Sequence, residues 1–311
     1  MELRHLRYFI AVAEEGHVTR AAARLGIQQP PLSQQIHALE RELDVQLFRR
    51  KPRGVELTDA GSALLADARA ILAQIDHARA TTRRTARGEQ GRLVVGFTSS
   101  APFVPFVPRV IRAFRESFPL VSLVLEETGT GEMIDALRNE LIDAAFIRSP
   151  APDPSGVVVH PLLEEAMVVA LPTGHGMAAA GEDAGLALAA LAGETFILYR
   201  RPGGPGLYDA IIASCHRAGF SPLVGQEAPR ILSTLSLVAA GLGVSLVPAS
   251  LQRLHMDGVV FRRLAGEPQP KAPLNLAHRR GETAAVVRRF VELVRRTATE
   301  LPPQEPQGGA L

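Results

Sequence analysis

The sequence predicts an α/β fold that carries an all-α head at its N-terminus and one long helix behind the head. Three observations point there. Residues 18 to 42, VTRAAARLGIQQPPLSQQIHALERE, read as two short helices around a tight turn. From residue 59 onward, apolar and small residues recur at alternating spacings of four and three for about three heptads. From residue 92, apolar runs alternate with amphipathic helices, the pattern of a parallel sheet with helices on both faces.

The head begins with an amphipathic helix over residues 3–15, with Leu3, Leu6, Phe9, Ile10 and Ala13 on one side. The next helix buries Ala21, Ala22 and Leu25 and is broken by Gly26. Pro30 and Pro31 open another helix, where a missing N–H has no internal partner to lose. Leu32, Ile36, Leu39 and Leu43 form its apolar stripe, and Ser33, Gln34, His37 and Arg41 its other face. Such a face can lie in a DNA major groove and read base edges through hydroxyl, amide and imidazole groups. LFRRKPRGVELT, Leu47 to Thr58, follows with Arg49, Arg50, Lys51 and Arg53 around a Pro52–Gly54 turn. The alternative for such a run is a solvated charged loop. Its place directly after a helix-turn-helix favours a basic wing whose cations lie along phosphates.

Thr58 is placed to cap a helix over about 59–88, with Leu64, Ala68, Ile71, Ile75, Ala78, Thr82 and Thr85 as a heptad seam. At 1.5 Å per residue that helix is about 45 Å long. It reads as a dimerising linker, because dimers read paired half-sites; the alternative is a helix docked on its own chain. Thr82 and Thr85 loosen the seam at its end, and Gly88 and Gly91 predict a hinge.

Strands are expected at 91–97, 120–128 and 143–147, with helices at 105–118 and 130–140 between them. Further strands are expected at 166–171, 195–199, 244–248, 259–264 and 272–279, and helices at about 206–218, 230–241 and 283–298. The Pro-, Gln- and Gly-rich end, 301–311, has the composition of a disordered tail.

A length of 311 residues suits about two domains. Residues 1–90 hold 14 Arg and Lys against 11 Asp and Glu, net +3, and the remainder 20 against 21, net −1. A nucleic-acid contact must therefore be a local patch, doubled in a dimer. No apolar run is long enough for a membrane span and no secretory signal pattern opens the chain, so a cytoplasmic protein is expected. The single cysteine, Cys215, excludes an internal disulfide; within AIIASCHRAGF it reads as a small buried hydrophobe, with a thiol assisted by His216 as the lesser alternative. GxGxxG, P-loop, paired Cys–His metal and GxSxG patterns are all missing, so neither an enzyme nor a cofactor or metal is expected. A transport solute-binding protein would need an export signal and no DNA-binding head.

TRAAARL, QQPPLSQQIHALERELDVQLFRR and ELTDAG resemble the N-terminal signature of the LysR-type transcriptional regulators, densely across about residues 1–65. MELRHLRYFIAVAEEG and VAAGLGVSLVPAS are most similar to the aromatic-catabolism subgroup, the benzoate, catechol and chlorocatechol activators. The sequence departs at His17 and Val18, where the family often has a small hydroxyl residue and an aromatic, which predicts a weaker cap on the helix that follows.

The resemblance implies a winged helix-turn-helix over 1–58 (the helix-turn-helix at about 18–37), a linker helix over 59–88 and an effector domain over 92–300. That domain would be periplasmic-binding-protein-like, with one lobe from 92–162 and 267–300 and the other from 163–266. The implied function is sequence-specific regulation of transcription in response to a small effector, an organic or aromatic acid. Gln29, Pro30, Pro31, Ser33 and Gln34 would approach bases and Arg53 the backbone or minor groove, with Arg20, His37, Arg49 and Arg50 completing the DNA-binding set. Partners would be promoter DNA, the effector, a second copy through the linker and then a tetramer, and possible contact with RNA polymerase.

Ligands of α/β sheets sit at the carboxyl ends of strands. That rule selects Thr98, Ser99 and Ser100 after the first strand, Thr128, Gly129 and Thr130 after the second, and Arg148 after the third. Hydroxyls and N–H groups at two helix N-termini favour a carboxylate, and Arg148 could add a bidentate contact. The alternative is that Ser99 and Thr130 are ordinary caps and Arg148 pairs with Asp143 or another acid. In the second lobe the resemblance implies that the loop from Tyr199 to Gly206, with Arg201, Pro202 and Gly203, faces the cleft, where Arg200 or Arg201 would meet a second carboxylate; the alternative for the two arginines is a solvated loop.

Overall fold

Leu3–Glu15 form α1, Val18–Leu25 α2 and Gln29–Leu43 α3, and they enclose a core of Leu6, Phe9, Val12, Ala21, Ala22, Leu32, Ile36, Leu39 and Leu47. The computed structural model describes residues 1–148, 155–179, 185–199 and 206–300; the expected tail at 301–311 lies outside them. The buried residues of α1 are Leu6, Phe9, Ala11 and Val12; Leu6 and Phe9 fulfil the expected stripe and Ile10 packs partly against the same core, but Ala13 is only half-buried. Leu3 is 41% exposed, because it sits in the first turn, and Leu43 at the far end of α3 is likewise exposed. His17 corrects the weak-cap expectation: its Nδ1 accepts the Thr19 N–H at 3.2 Å, so the imidazole takes the place of a capping hydroxyl. Gly26 closes α2 in the left-handed conformation, φ 68°.

β1 (Phe48–Lys51) and β2 (Gly54–Leu57) pair antiparallel to make the wing, anchored where the Val55 N–H donates to the Gly16 carbonyl at 2.9 Å. Gly54 must be glycine: at φ 138° an added Cβ would lie 2.2 Å from the Gly16 oxygen. Thr58 caps α4 (Asp59–Ala86), accepting the Gly61 N–H at 3.0 Å while its own hydroxyl donates to the Gln46 carbonyl at 2.7 Å. Along the seam only Ala68 is buried, Leu64 and Ile75 are half-buried, and Ile71 is 38% exposed.

The chain divides into two compact units, Met1–Arg84 and Thr85–Leu311. Gly88 belongs to the second and is no loose hinge. It is buried at φ 70°, and an added Cβ would lie 2.5 Å from the Ala285 carbonyl carbon.

The second unit holds β3 (Gln90–Phe97), α5 (Phe106–Ser117), β4 (Leu120–Glu127), α6 (Thr130–Arg138), β5 (Ala144–Ile147), β6 (Val157–Pro172), β7 (Leu186–Ala187) and β8 (Thr195–Tyr199). It continues with α7 (Leu207–Arg217), β9 (Leu223–Ala228), α8 (Ile231–Ala239), β10 (Ser245–Pro248), β11 (Val259–Ala265), β12 (Lys271–Arg279) and α9 (Ala285–Thr299). β3 pairs parallel with β4 and β5, as the alternating pattern predicts. α5 and α9 pack on one face of this lobe through Phe114, Phe290 and Val294, and α6 on the other through Met133, Ile134 and Leu137.

β6 crosses both lobes. It pairs with β12 from Ala166↔Lys271 to Val157↔Arg279, then with β10 and β11 in the second lobe. The sequence showed only residues 166–171 of it, because Pro161 and the Glu164–Glu165 pair interrupt the apolar run. The register shifts between Leu274 and Asn275, next to Pro161. β9 was missed because most of it is exposed. Cys215 is buried on α7 within the second lobe's core, and burial pushes its thiol up to about 11, which suits a packed hydrophobe.

Candidate functional site

Two surfaces carry the sequence-predicted residues, one in each unit. On the head, Arg20, Gln29, Pro30, Pro31, Gln34 and His37 are exposed, and Ser33 is half-buried. The Gln29 side-chain carbonyl accepts the Thr19 hydroxyl at 3.3 Å, joining α2 to the start of α3. Arg20 is turned back, its Nη2 donating to the Glu15 carbonyl at 2.5 Å. On the wing, Arg49 and Lys51 both pair with Glu56, whereas Arg50 and Arg53 make no ion pair among the described residues. The least compensated charge of the wing is therefore at Arg50 and Arg53.

Sequence reasoning missed Glu40. It is 4% exposed, and its Oε1 accepts the backbone N–H groups of Leu47 at 2.8 Å and Phe48 at 3.2 Å. A carboxylate on an otherwise apolar helix face was the available signal. It fixes the wing to the end of α3.

In the second unit a cavity of about 440 Å³ lies between the lobes. Thr98, Ser99, Ser100, Thr128, Thr130 and Arg148 line it from the first lobe, and Tyr199, Leu207, Tyr208, Arg230 and Ile231 from the second. Arg201, Pro202 and Gly203, with Arg200, lie outside the described residues. The Thr98 hydroxyl is buried and without a hydrogen-bond partner among the described residues. Neither Ser99 nor Thr130 is a cap. The N-cap of α6 is Gly129, whose N–H donates to Glu132 at 3.3 Å, and the residue before the 3₁₀ turn Ala101–Phe103 is Ser100.

α5 starts at Phe106, within one residue of the expected position, and the 3₁₀ turn separates it from the Thr98–Ser100 hydroxyls, so these do not open a helix as the strand-end reading expected. Besides α6, two helices of the second lobe open into the cleft, α7 through Leu207 and Tyr208 and α8 through Arg230 and Ile231.

Arg148 corrects a second expectation. It lines the cleft but is 3% exposed and already committed. Its Nε donates to the Ser100 hydroxyl at 3.0 Å, Nη1 to the Ala272 carbonyl at 3.3 Å, and Nη2 to the Ser100 carbonyl at 3.3 Å and to Glu165 at 2.5 Å. Among the described residues one N–H of Nη1 is left over, too few for a bidentate grip on a ligand. Burial draws the guanidinium below its ordinary value, and Glu165 opposes that shift. Asp143 is occupied elsewhere, by the Val94 N–H at 2.8 Å and Arg279 at 3.2 Å.

Glu165 was not foreseen, although an acid inside an apolar strand marks such a position. It also accepts from the Ser250 N–H at 3.1 Å and the Ser250 hydroxyl at 3.2 Å. Tyr199 donates its hydroxyl to the Leu246 carbonyl at 3.1 Å, and burial raises its pKa.

Among the described residues no cluster of three or more His, Cys, Asp or Glu could hold a metal ion, and no helix is long and apolar enough to cross a membrane. A winged helix-turn-helix joined to a two-lobed α/β domain with an interlobe cleft defines a ligand-responsive regulator of transcription. Residues 3–62 match the bacterial regulatory helix-turn-helix proteins of the lysR family, and residues 86–299 match the LysR substrate binding domain. The chain belongs to the LysR family of transcriptional regulators.

It is 40% identical over 293 residues to the transcriptional regulator BudR of Raoultella terrigena, covering 94% of this chain and 100% of that one. It is 37% identical over 298 residues to CatR of Pseudomonas putida, covering 96% and 100%. The crystal structure of full-length CbnR with its target DNA superposes with a TM-score of 0.83 at 33% identity, covering 96% of this chain and 100% of that one.

Proposed function

We propose that this regulator binds promoter DNA in the cytoplasm as a dimer or tetramer and responds to a small organic acid held in the interlobe cleft. Residues 1–58 would serve as the DNA-binding unit, 59–88 as the dimerising linker and 92–300 as the effector unit. α3 would enter the major groove with Gln29, Pro30, Pro31, Ser33, Gln34 and His37 nearest the bases. Arg50 and Arg53 would lie on phosphates, with Arg49 and Arg20 contributing less because each already has an acidic or carbonyl partner. RNA polymerase is a further partner in this reading.

The observation that carries the effector reading is the set of uncommitted hydroxyls at the strand ends. Ser99, Thr128 and Thr130 line the cleft beside the N-terminus of α6, and the buried Thr98 hydroxyl has no partner among the described residues. Hydroxyl and N–H donors at a helix N-terminus suit a carboxylate, aromatic or muconate-like in a cavity of this size. The test is a thermal-denaturation panel against benzoate, salicylate and muconate. A ligand at about 100 times its dissociation constant adds roughly 2.7 kcal/mol, and no shift with any acid would overturn the acid effector.

A further inference from the structure

A second arginine enters the cleft, and its partner differs from that of Arg148. Arg230, the residue before α8, donates Nη1 to Glu127 Oε1 at 3.1 Å. Glu127 ends β4 in the first lobe, and α8 packs on β6, β8 and β10 of the second, so this ion pair spans the cleft. Arg148 is buried and has four of its five N–H groups committed to Glu165, Ser100 and Ala272. Arg230 is two-thirds exposed, its side chain pairs among the described residues with Glu127 alone, and Glu127 is itself one-third exposed. An exposed pair of this kind is weak, at most about fivefold in an equilibrium constant. Glu132, the other acid on the wall, is held by the Gly129 N–H at 3.3 Å.

We propose that Arg230 is the second lobe's receptor for the acid group of the effector, and that Glu127 is the carboxylate holding its place. The inference rests on the acid-effector reading above. A ligand carboxylate entering the cleft takes Arg230 from Glu127. The arginine keeps a carboxylate partner in both states, and the released Glu127 turns to solvent. The lobes are then joined through the ligand, whose other end meets the hydroxyls of Ser99, Thr128 and Thr130, instead of through the direct ion pair. That exchange supplies the differential contact that any ligand-driven change requires. The ligand class follows: the acid binds, and its neutral methyl ester, unable to compete with Glu127, does not.

The test is calorimetric titration of the full chain with benzoate, salicylate, muconate and methyl benzoate, in wild type and in Glu127→Gln, Arg230→Gln and Ser99→Ala. Glu127→Gln should tighten acid binding about three- to fivefold by removing the competitor. Arg230→Gln should weaken it roughly tenfold, and methyl benzoate should bind none of the four. If Ser99→Ala abolishes acid binding while Glu127→Gln and Arg230→Gln leave it unchanged, the acid-effector reading stands and the exchange falls. Weakening by Glu127→Gln, or binding of the ester as tightly as the acid, also overturns the exchange. No acid binding by wild type or by Glu127→Gln overturns both.

Discussion

The Nδ1 of His37 lies 3.2 Å from Oε2 of Glu40, one turn further along α3. The other oxygen of Glu40 holds the Leu47 and Phe48 N–H groups, so one buried carboxylate ties an exposed imidazole of α3 to the root of the wing. Removing it leaves two backbone donors unpaired where α3 meets β1. Glu40→Ala should destabilise the head by about 2–4 kcal/mol. Calorimetry of the full chain should show an earlier first transition, and an unchanged melting profile would refute the role.

In the proposed DNA complex the same contact would set what His37 reads. A neutral imidazole that donates Nδ1–H to Glu40 turns an accepting Nε2 outward. An acceptor in the major groove matches the exocyclic amine of adenine or cytosine. His37→Ala should lower discrimination at one operator position by about 1–3 kcal/mol. Competition among single-base operator variants measures this; equal loss at every position would make His37 a backbone contact.

The wing divides its charges unequally. Arg50 and Arg53 have no ion-pair partner among the described residues, whereas Glu56 holds Arg49 and Lys51. Each phosphate contact adds about 0.9 to the slope of log affinity against log salt. Arg50→Ala and Arg53→Ala should each flatten that slope by about one, and Arg49→Ala by less. Equal effects of all three in a salt titration would show that Glu56 lets go on binding.

Much of this layout was legible because local rules and packing agree. The spacing of Leu32, Ile36 and Leu39, Gly26 at the turn, and the apolar runs of β3, β5 and β10 each have a single reading, and all are buried or placed accordingly. The strand-end rule found Thr98, Ser99, Thr128 and Thr130 on the cavity wall. The partners were hidden. Glu165 lies 17 residues beyond Arg148, and Arg230 lies 103 beyond Glu127, so no spacing rule connects them. Burial of Arg148 was equally invisible, because the sequence marks an arginine after a strand without showing which donors the fold has already used.

Arg148 and Glu165 should behave as a structural pair. Arg148→Met leaves a carboxylate buried with, among the described residues, only Ser250 for compensation, a change that typically costs about 3–5 kcal/mol. Adding Glu165→Leu removes the orphaned charge and should recover most of that loss. Thermal melts of the two single variants and the double variant give the coupling. A double variant no more stable than Arg148→Met would show that the pair is not the source of the cost.

The apolar stripe of α4 supplies the remaining prediction. Ile71 is exposed and Ile75 half-buried on α4, and in heptad register with Leu64 and Ala68 they continue a stripe that begins in the core of the head. An apolar stripe that leaves its own core needs a partner, and a second α4 matches its spacing. A charge at Ile75 would be forced into that seam without compensation, whereas at the neighbouring exposed Asp76 the identity of the polar residue should matter little. Ile75→Asp should therefore raise the dimer dissociation constant by about a hundredfold or more, equivalent to roughly 3 kcal/mol, while Asp76→Asn leaves it within about twofold. Sedimentation across a dilution series separates the two. If Ile75→Asp stays dimeric at the dilution where wild type begins to dissociate, association runs through another surface, and the stripe is packed against its own chain.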